Sequence, residues 1–118
     1  MAEDLKVVTK IYDFILWTIP QVVKFPRSHR FVLGEKIENN LYDLLEEIIE
    51  AKYTKDKAIK LREANLRLEK IRYQIRIAKD LKFIGLNSYE YAAKNINEIG
   101  NLIGGWLKQQ SKIGGDKS

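Results

Sequence analysis

The stretch that decides the fold is Ala64-Asn65-Leu66-Arg67-Leu68-Glu69-Lys70-Ile71-Arg72-Tyr73-Gln74-Ile75-Arg76-Ile77-Ala78. Ala64, Leu68, Ile71, Ile75 and Ala78 recur at steps of four and three residues, the spacing that lines up one face of an α-helix. A second apolar line, Ile59, Leu66, Tyr73, Ile77 and Ile84, threads the same segment. At about 100° per residue the two lines fall on well-separated sides. One side suits the core of its own chain. The other needs a second cover, and another subunit is the simplest one, so Leu66, Tyr73, Ile77 and Ile84 are read as an oligomer interface. The arc between them carries Arg62, Asn65, Glu69, Arg72 and Arg76.

Working outward, this helix is expected to begin after Thr54, a plausible N-cap, and to run to about Phe83. Three further segments show the same periodicity. The first, about Glu3 to Val23, lines up Leu5, Val8, Tyr12, Ile15, Ile19 and Val22; Pro20 lies inside it and predicts a kink or an early end near Leu16–Thr18. The next, from a Ser28 N-cap to about Lys52, has Ile37, Leu41, Leu44, Ile48 and Ala51 as its seam, with Gly34 placed for close approach of a neighbouring helix. The last follows Gly85-Leu86-Asn87-Ser88, where Asn87 and Glu90 fit a capping box. Its seam is Tyr89, Ala92, Ile96, Ile99, Ile103 and Trp106, and Ala93, Gly100 and Gly104 form a line of small residues suited to tight packing. The apolar pattern stops at Gln109. The reading is all-α: an up-down-up-down four-helix bundle over residues 1–109, followed by a flexible tail over 110–118.

The chain has 118 residues, of which 45% are hydrophobic, enough for one core. It has no cysteine, which excludes a disulfide or Cys-based zinc site. The longest apolar run, Phe14-Ile15-Leu16-Trp17, is far short of the roughly 20 residues that span a bilayer. The acidic start Met-Ala-Glu-Asp is unlike a signal peptide. These features predict a cytoplasmic protein without membrane contact. Net charge is +5, but it is segregated. Lys55 to Lys82 holds ten Lys/Arg against four Asp/Glu, and Glu35 to Glu50 one Lys against six acids, so distinct basic and acidic faces are expected.

Catalytic chemistry finds little support in these residues. His29 is the only histidine, so the paired Glu-x-x-His elements of helical di-metal sites are lacking. Glu46, Glu47 and Glu50 read as a solvated face, Ser28 as a helix cap and His29 as an exposed loop residue. No phosphate-binding glycine loop is present. No metal, cofactor or catalytic residue is predicted. The strongest functional signal is basic: Arg62, Arg72, Arg76 and Lys79 suit phosphate contacts, which need no sequence reading. The same residues also suit a solvated face tied to Glu69 and Asp80. Tyr73, Tyr89, Tyr91 and Trp106 are either core aromatics or base-stacking groups.

Three stretches then carry a resemblance: Tyr12-Asp13-Phe14-Ile15-Leu16-Trp17-Thr18-Ile19-Pro20, Lys24-Phe25-Pro26-Arg27-Ser28-His29-Arg30-Phe31-Val32-Leu33-Gly34, and Ile99-Gly100-Asn101-Leu102-Ile103-Gly104-Gly105-Trp106-Leu107-Lys108. With Ala64–Glu69 and Ile77–Leu81 between them, they resemble the accessory variability determinant (Avd) proteins of diversity-generating retroelements, over about residues 8 to 109. The wider superfamily includes four-helix proteins encoded within bacterial ribosomal RNA genes, from which Asn40–Glu47 departs. The resemblance implies a non-catalytic pentameric barrel that associates with the element's reverse transcriptase and with template RNA or RNA/DNA. It also brings in Arg27 and Arg30, which match the family motif, as nucleic-acid contacts. Five copies would carry about +25, a field able to draw phosphates. A helical oligomer that binds only protein is the alternative; a carboxylate metal enzyme built on Glu46 or Glu50 is the third reading.

Overall fold

The computed structural model describes the backbone of residues 2–117 and the side chains of residues 5–112. Four long helices dominate: α1 (Ala2–Val23), α3 (Glu35–Tyr53), α4 (Lys57–Asp80) and α5 (Leu86–Lys117). A single turn, α2 (Arg27–His29), and a π-helical turn (Arg30–Gly34) lead into α3. No strand occurs among the described residues. Helices α1 and α4 each pack against both α3 and α5, so they occupy opposite corners of the bundle. Short links make successive long helices antiparallel. The molecule is 52 Å long because α5 alone has 32 residues, about 48 Å at helical rise.

The core follows the periodic seams. In α3, Ile37, Leu41, Leu44, Ile48 and Ala51 are buried; in α4, Leu61, Ala64, Leu68, Ile71, Ile75 and Ala78; in α5, Ala92, Ile96, Ile99, Ile103 and Trp106. Each large aliphatic side chain so removed from water contributes about 1.5–3 kcal/mol. The first helix differs from expectation. Its buried face is Val7, Ile11, Phe14, Ile15, Thr18 and Val22, while Leu5 and Tyr12 are exposed. This helix is apolar on several sides, so more than one stripe fits the period and packing selects among them.

The expected break at Pro20 is absent. The helix runs on to Val23 because Val22, two residues past the proline, is buried and anchors the last turn. The proline releases the carbonyl of Leu16, an exposed position where water can take it. The buried Thr18 hydroxyl donates to the Phe14 carbonyl at 2.7 Å.

Three helix starts also differ. Pro26, not Ser28, occupies the cap position; its extended backbone and its carbonyl, which accepts from His29 and Arg30 N–H at 2.9 and 3.0 Å, begin the helix. Thr54 closes α3 and Asp56 precedes α4. The Lys57 ammonium donates to the carbonyls of Ala51, Lys52 and Thr54, satisfying the C-terminal end of α3. Helix α5 begins at Leu86, with Tyr89 N–H on the Gly85 carbonyl, so Asn87 lies inside the first turn and forms no capping box. Upstream, α4 ends in a Schellman motif: Phe83 N–H bonds Ala78 O at 2.8 Å, Lys82 N–H bonds Lys79 O, and Lys82 takes φ 64°.

Gly34 is the close approach its position suggested: a Cβ there would sit 2.6 Å from Val22 Cγ1. Gly100 faces Leu68 at 3.4 Å, but Gly104 meets nothing within 4 Å, so the small-residue line packs only in part. Beyond Gln109 the chain continues as helix to Lys117; Ser118, the last residue of the expected tail, lies outside the described residues.

Candidate functional site

The polar side chains of α4 fall into two groups, set by which neighbour each helical position faces. Toward α3 runs a polar seam. The Arg67 guanidinium donates to Glu47 at 2.8 Å and to Asn40 at 2.9 Å, and lies 3.4 Å from Asp43. Asn40 also bonds Gln74, and Lys60 pairs with Glu50. The hydrogen bond that Arg67 donates to Glu47, reinforced by the charges of Glu47 and Asp43, holds Arg67 protonated even above the usual guanidinium range, against the opposing effect of burial. Glu47 is therefore a buried ion-pair partner rather than part of a solvated acidic face. Its place between Leu44 and Ile48 on the seam, and that of Arg67 between Ala64 and Leu68, carried the signal in the sequence.

The predicted phosphate contacts are spread out. On α4, Arg72 pairs with Glu69 and bonds the Asn97 side chain. Arg76 lies 4.0 Å from Asp80, and Lys79 pairs with Asp80 while its ammonium sits 5.0 Å from the Tyr89 ring. Arg62 is exposed with no partner among the described residues, ten residues or about 15 Å along the helix from Arg72. Arg27 and Arg30 stand at the opposite end of the bundle from Arg62, near the C-terminus of α4: the His29 ring packs on Phe83 at 5.0 Å and Phe25 on the same ring at 5.5 Å. His29 is thus half-buried, not a free loop residue. Of the candidate stacking aromatics, Trp106 is core, and Tyr91 packs on Trp17, itself stacked on Phe14. Tyr73 is exposed.

The second apolar line of α4 faces outward: Ile59, Leu66, Tyr73 and Ile77 are 50, 60, 58 and 47% exposed. Ile84 instead lies half-buried against the chain's own core. On the diagonal corner, α1 shows another exposed set, Tyr12, Leu16 and Val23. On the α1–α5 side, Lys10 and Glu98 form an ion pair; its hydrogen bond raises the lysine pKa and lowers that of the carboxyl.

A feature the sequence reading passed over lies between α1 and α3. Phe31 and Val32 are 67 and 63% exposed, beside Arg30, whose Nε is buried without an acceptor. Their positions off the seam that runs back from Ile37 through Gly34 were the available clue.

Among the described residues no three or more His, Asp or Glu side chains are grouped to hold a metal, and no helix is long and apolar enough to cross a membrane. The molecule is a four-helix bundle that offers charged and apolar outer faces. Residues 5–110 match the bAvd-like family, and the chain belongs to it, the Avd kinship its motifs indicate. The fold has a solved counterpart in a protein of unknown function from the S23 ribosomal protein family of Bacteroides thetaiotaomicron VPI-5482, with TM-score 0.81, 20% identity, and coverage of 90% of this chain and 98% of that one. No curated protein sequence matches the chain.

Proposed function

We propose that this chain is a non-catalytic accessory subunit of a diversity-generating retroelement. In this reading it self-assembles in the cytoplasm and holds the element's reverse transcriptase and its template RNA or RNA/DNA for mutagenic copying. The family match over residues 5–110 carries the reading. The exposed line Leu66, Tyr73 and Ile77 supports self-assembly. A two-fold dimer through α4 would leave the α1 set uncovered, whereas head-to-tail packing of α4 on α1 covers both, the kind of interface that forms a ring when the rotation between subunits closes. The pentamer implied by the resemblance is such a ring.

Light scattering on the native protein, alone and with a structured RNA at low and moderate salt, tests this. A closed oligomer that takes up RNA in a salt-sensitive way is expected, and Tyr73→Glu should reduce its mass. A monomer without RNA uptake would refute the reading. One observation favours the protein-only alternative: Arg72, Arg76 and Lys79 already have acidic partners. It predicts that Arg72→Glu plus Arg76→Glu leaves all binding intact.

A further inference from the structure

We infer that the shoulder between α1 and α3 is a docking site for single-stranded nucleic acid, with one base stacked on Phe31 and the adjoining phosphates held by Arg27 and Arg30. The inference rests on the accessory-subunit reading and gives its nucleic-acid contact a place and a ligand class.

The π turn Arg30–Gly34 sets the geometry. It is wider than an α turn and carries Phe31 and Val32 off the buried seam into solvent. The turn is fixed on two sides. Gly34 lies against Val22 so closely that no Cβ fits, and Phe25 and His29 both pack on Phe83. Phe31 is therefore an exposed ring on a braced support, which suits stacking because little order is lost when a base lands on it.

The charges around it are available. The side chains of Lys24, Arg27 and Lys36 are exposed and make no ion pair or hydrogen bond among the described residues. Arg30 Nε has no acceptor, and an anion that draws this guanidinium outward would relieve an orphaned donor. In contrast, Arg67, Arg72 and Arg76 must each give up a carboxylate before meeting a phosphate.

Beside Phe31 lies a groove of about 330 Å³ with an apolar wall of Val22 and Val23 and a polar edge of Glu35, Glu38 and Asn39. The apolar wall suits a base face. Two carboxylates would repel phosphate, but they accept hydrogen bonds from exocyclic amino groups, as acidic side chains do from cytosine N4. The groove thus favours amino-bearing bases over thymine or uracil. A docked helix would need a continuous apolar strip, whereas here the apolar residues are interrupted by Arg27 and Arg30.

The test is fluorescence anisotropy with short labelled oligo(dC) and oligo(dT) at low and moderate salt, with light scattering and circular dichroism on every variant. Wild type should bind oligo(dC) more tightly than oligo(dT). Phe31→Ala should weaken binding about 5- to 100-fold with the melting temperature unchanged, since the ring packs on no core. Phe31→Trp should restore it, and Arg30→Gln should lower the salt slope by about one. Unchanged affinity in Phe31→Ala, while wild type binds, would overturn this site and leave the accessory-subunit reading standing. The same result with a changed oligomer mass would make the shoulder a protein surface and equally overturn it. Wild type that binds neither oligonucleotide nor structured RNA would remove the nucleic-acid part of both readings.

Discussion

Gly34→Ala isolates the packing that shapes the π turn. Gly34 has φ −60° and ψ −47°, ordinary helical values, so alanine meets no backbone penalty. By propensity alone the change should stabilise the chain by about 0.5–1 kcal/mol. Against this, the new Cβ would lie 2.6 Å from Val22 Cγ1, inside any tolerable contact. Val22 is buried at 2% exposure and β-branched, so it cannot swing away cheaply. Overpacking of this kind costs about 1–3 kcal/mol. The net expectation is a loss of about 1–2 kcal/mol, read as a lower urea midpoint with an unchanged slope. Gly104→Ala, where nothing lies within 4 Å, should instead gain about 0.5–1 kcal/mol. In a Val22→Ala background the clash disappears and Gly34→Ala should become neutral or mildly favourable, a coupling of about 1–2 kcal/mol across the cycle. If Gly34→Ala stabilises the wild type as Gly104→Ala does, the helices are not pressed together there and the bracing of Phe31 fails with it.

The remaining expectations concern single interactions. A double-mutant cycle of Glu47→Ala and Arg67→Ala should give a coupling of about 1 kcal/mol, since the pair is only partly buried; additive losses would show that it contributes nothing. Lys82→Gly should raise stability by about 1 kcal/mol in thermal unfolding, because Lys82 holds a left-handed conformation that glycine adopts freely. The Lys10–Glu98 pair lowers the folded pKa of Glu98, so its small contribution is complete above the usual carboxylate range and is lost as pH falls through the lowered value. Glu98→Gln should therefore flatten the acid side of a melting-temperature profile, and salt should shrink the difference between the two proteins.

The sequence was most legible where one stripe was clearly more apolar than any rival. The seams of α3 and α4 could be read residue by residue because charged side chains flank them. In α1 the flanks are themselves apolar, and periodicity could not distinguish Val7-Ile11-Phe14 from Leu5-Val8-Tyr12. Helix ends were harder still. Ser28, Thr54 and Asn87 have the chemistry of caps, yet the ends were decided by Pro26, by the Lys57 ammonium and by a Schellman turn, all of which depend on where the neighbouring chain runs. The outward apolar line of α4 was legible through its seven-residue steps. The π turn was not, because it arises from the contact of Gly34 with Val22, twelve residues earlier in another helix.

Charge shows why composition and availability part company. Residues 55–82 are the most basic part of the chain, but α4 lies beside acidic α3, and an antiparallel register places Glu50 by Lys60, Glu47 by Arg67 and Asn40 by Gln74. Within α4 and its own turns, Glu69 and Asp80 engage Arg72, Arg76 and Lys79. Much of the basic character thus serves to match helices inside the bundle. The segment from Lys24 to Lys36 carries fewer cations, yet none of the four has an acidic partner among the described residues. A phosphate meeting Arg67, Arg72 or Arg76 must compete with a carboxylate already in place, whereas Arg62 on α4 and the cations of the shoulder make no ion pair among the described residues. For a polyanion the relevant quantity is the set of unspent donors and their support: Arg62 and Lys70 stand apart along α4, whereas Arg27, Arg30 and Lys36 flank the exposed Phe31 on a turn braced by Val22 and Phe83.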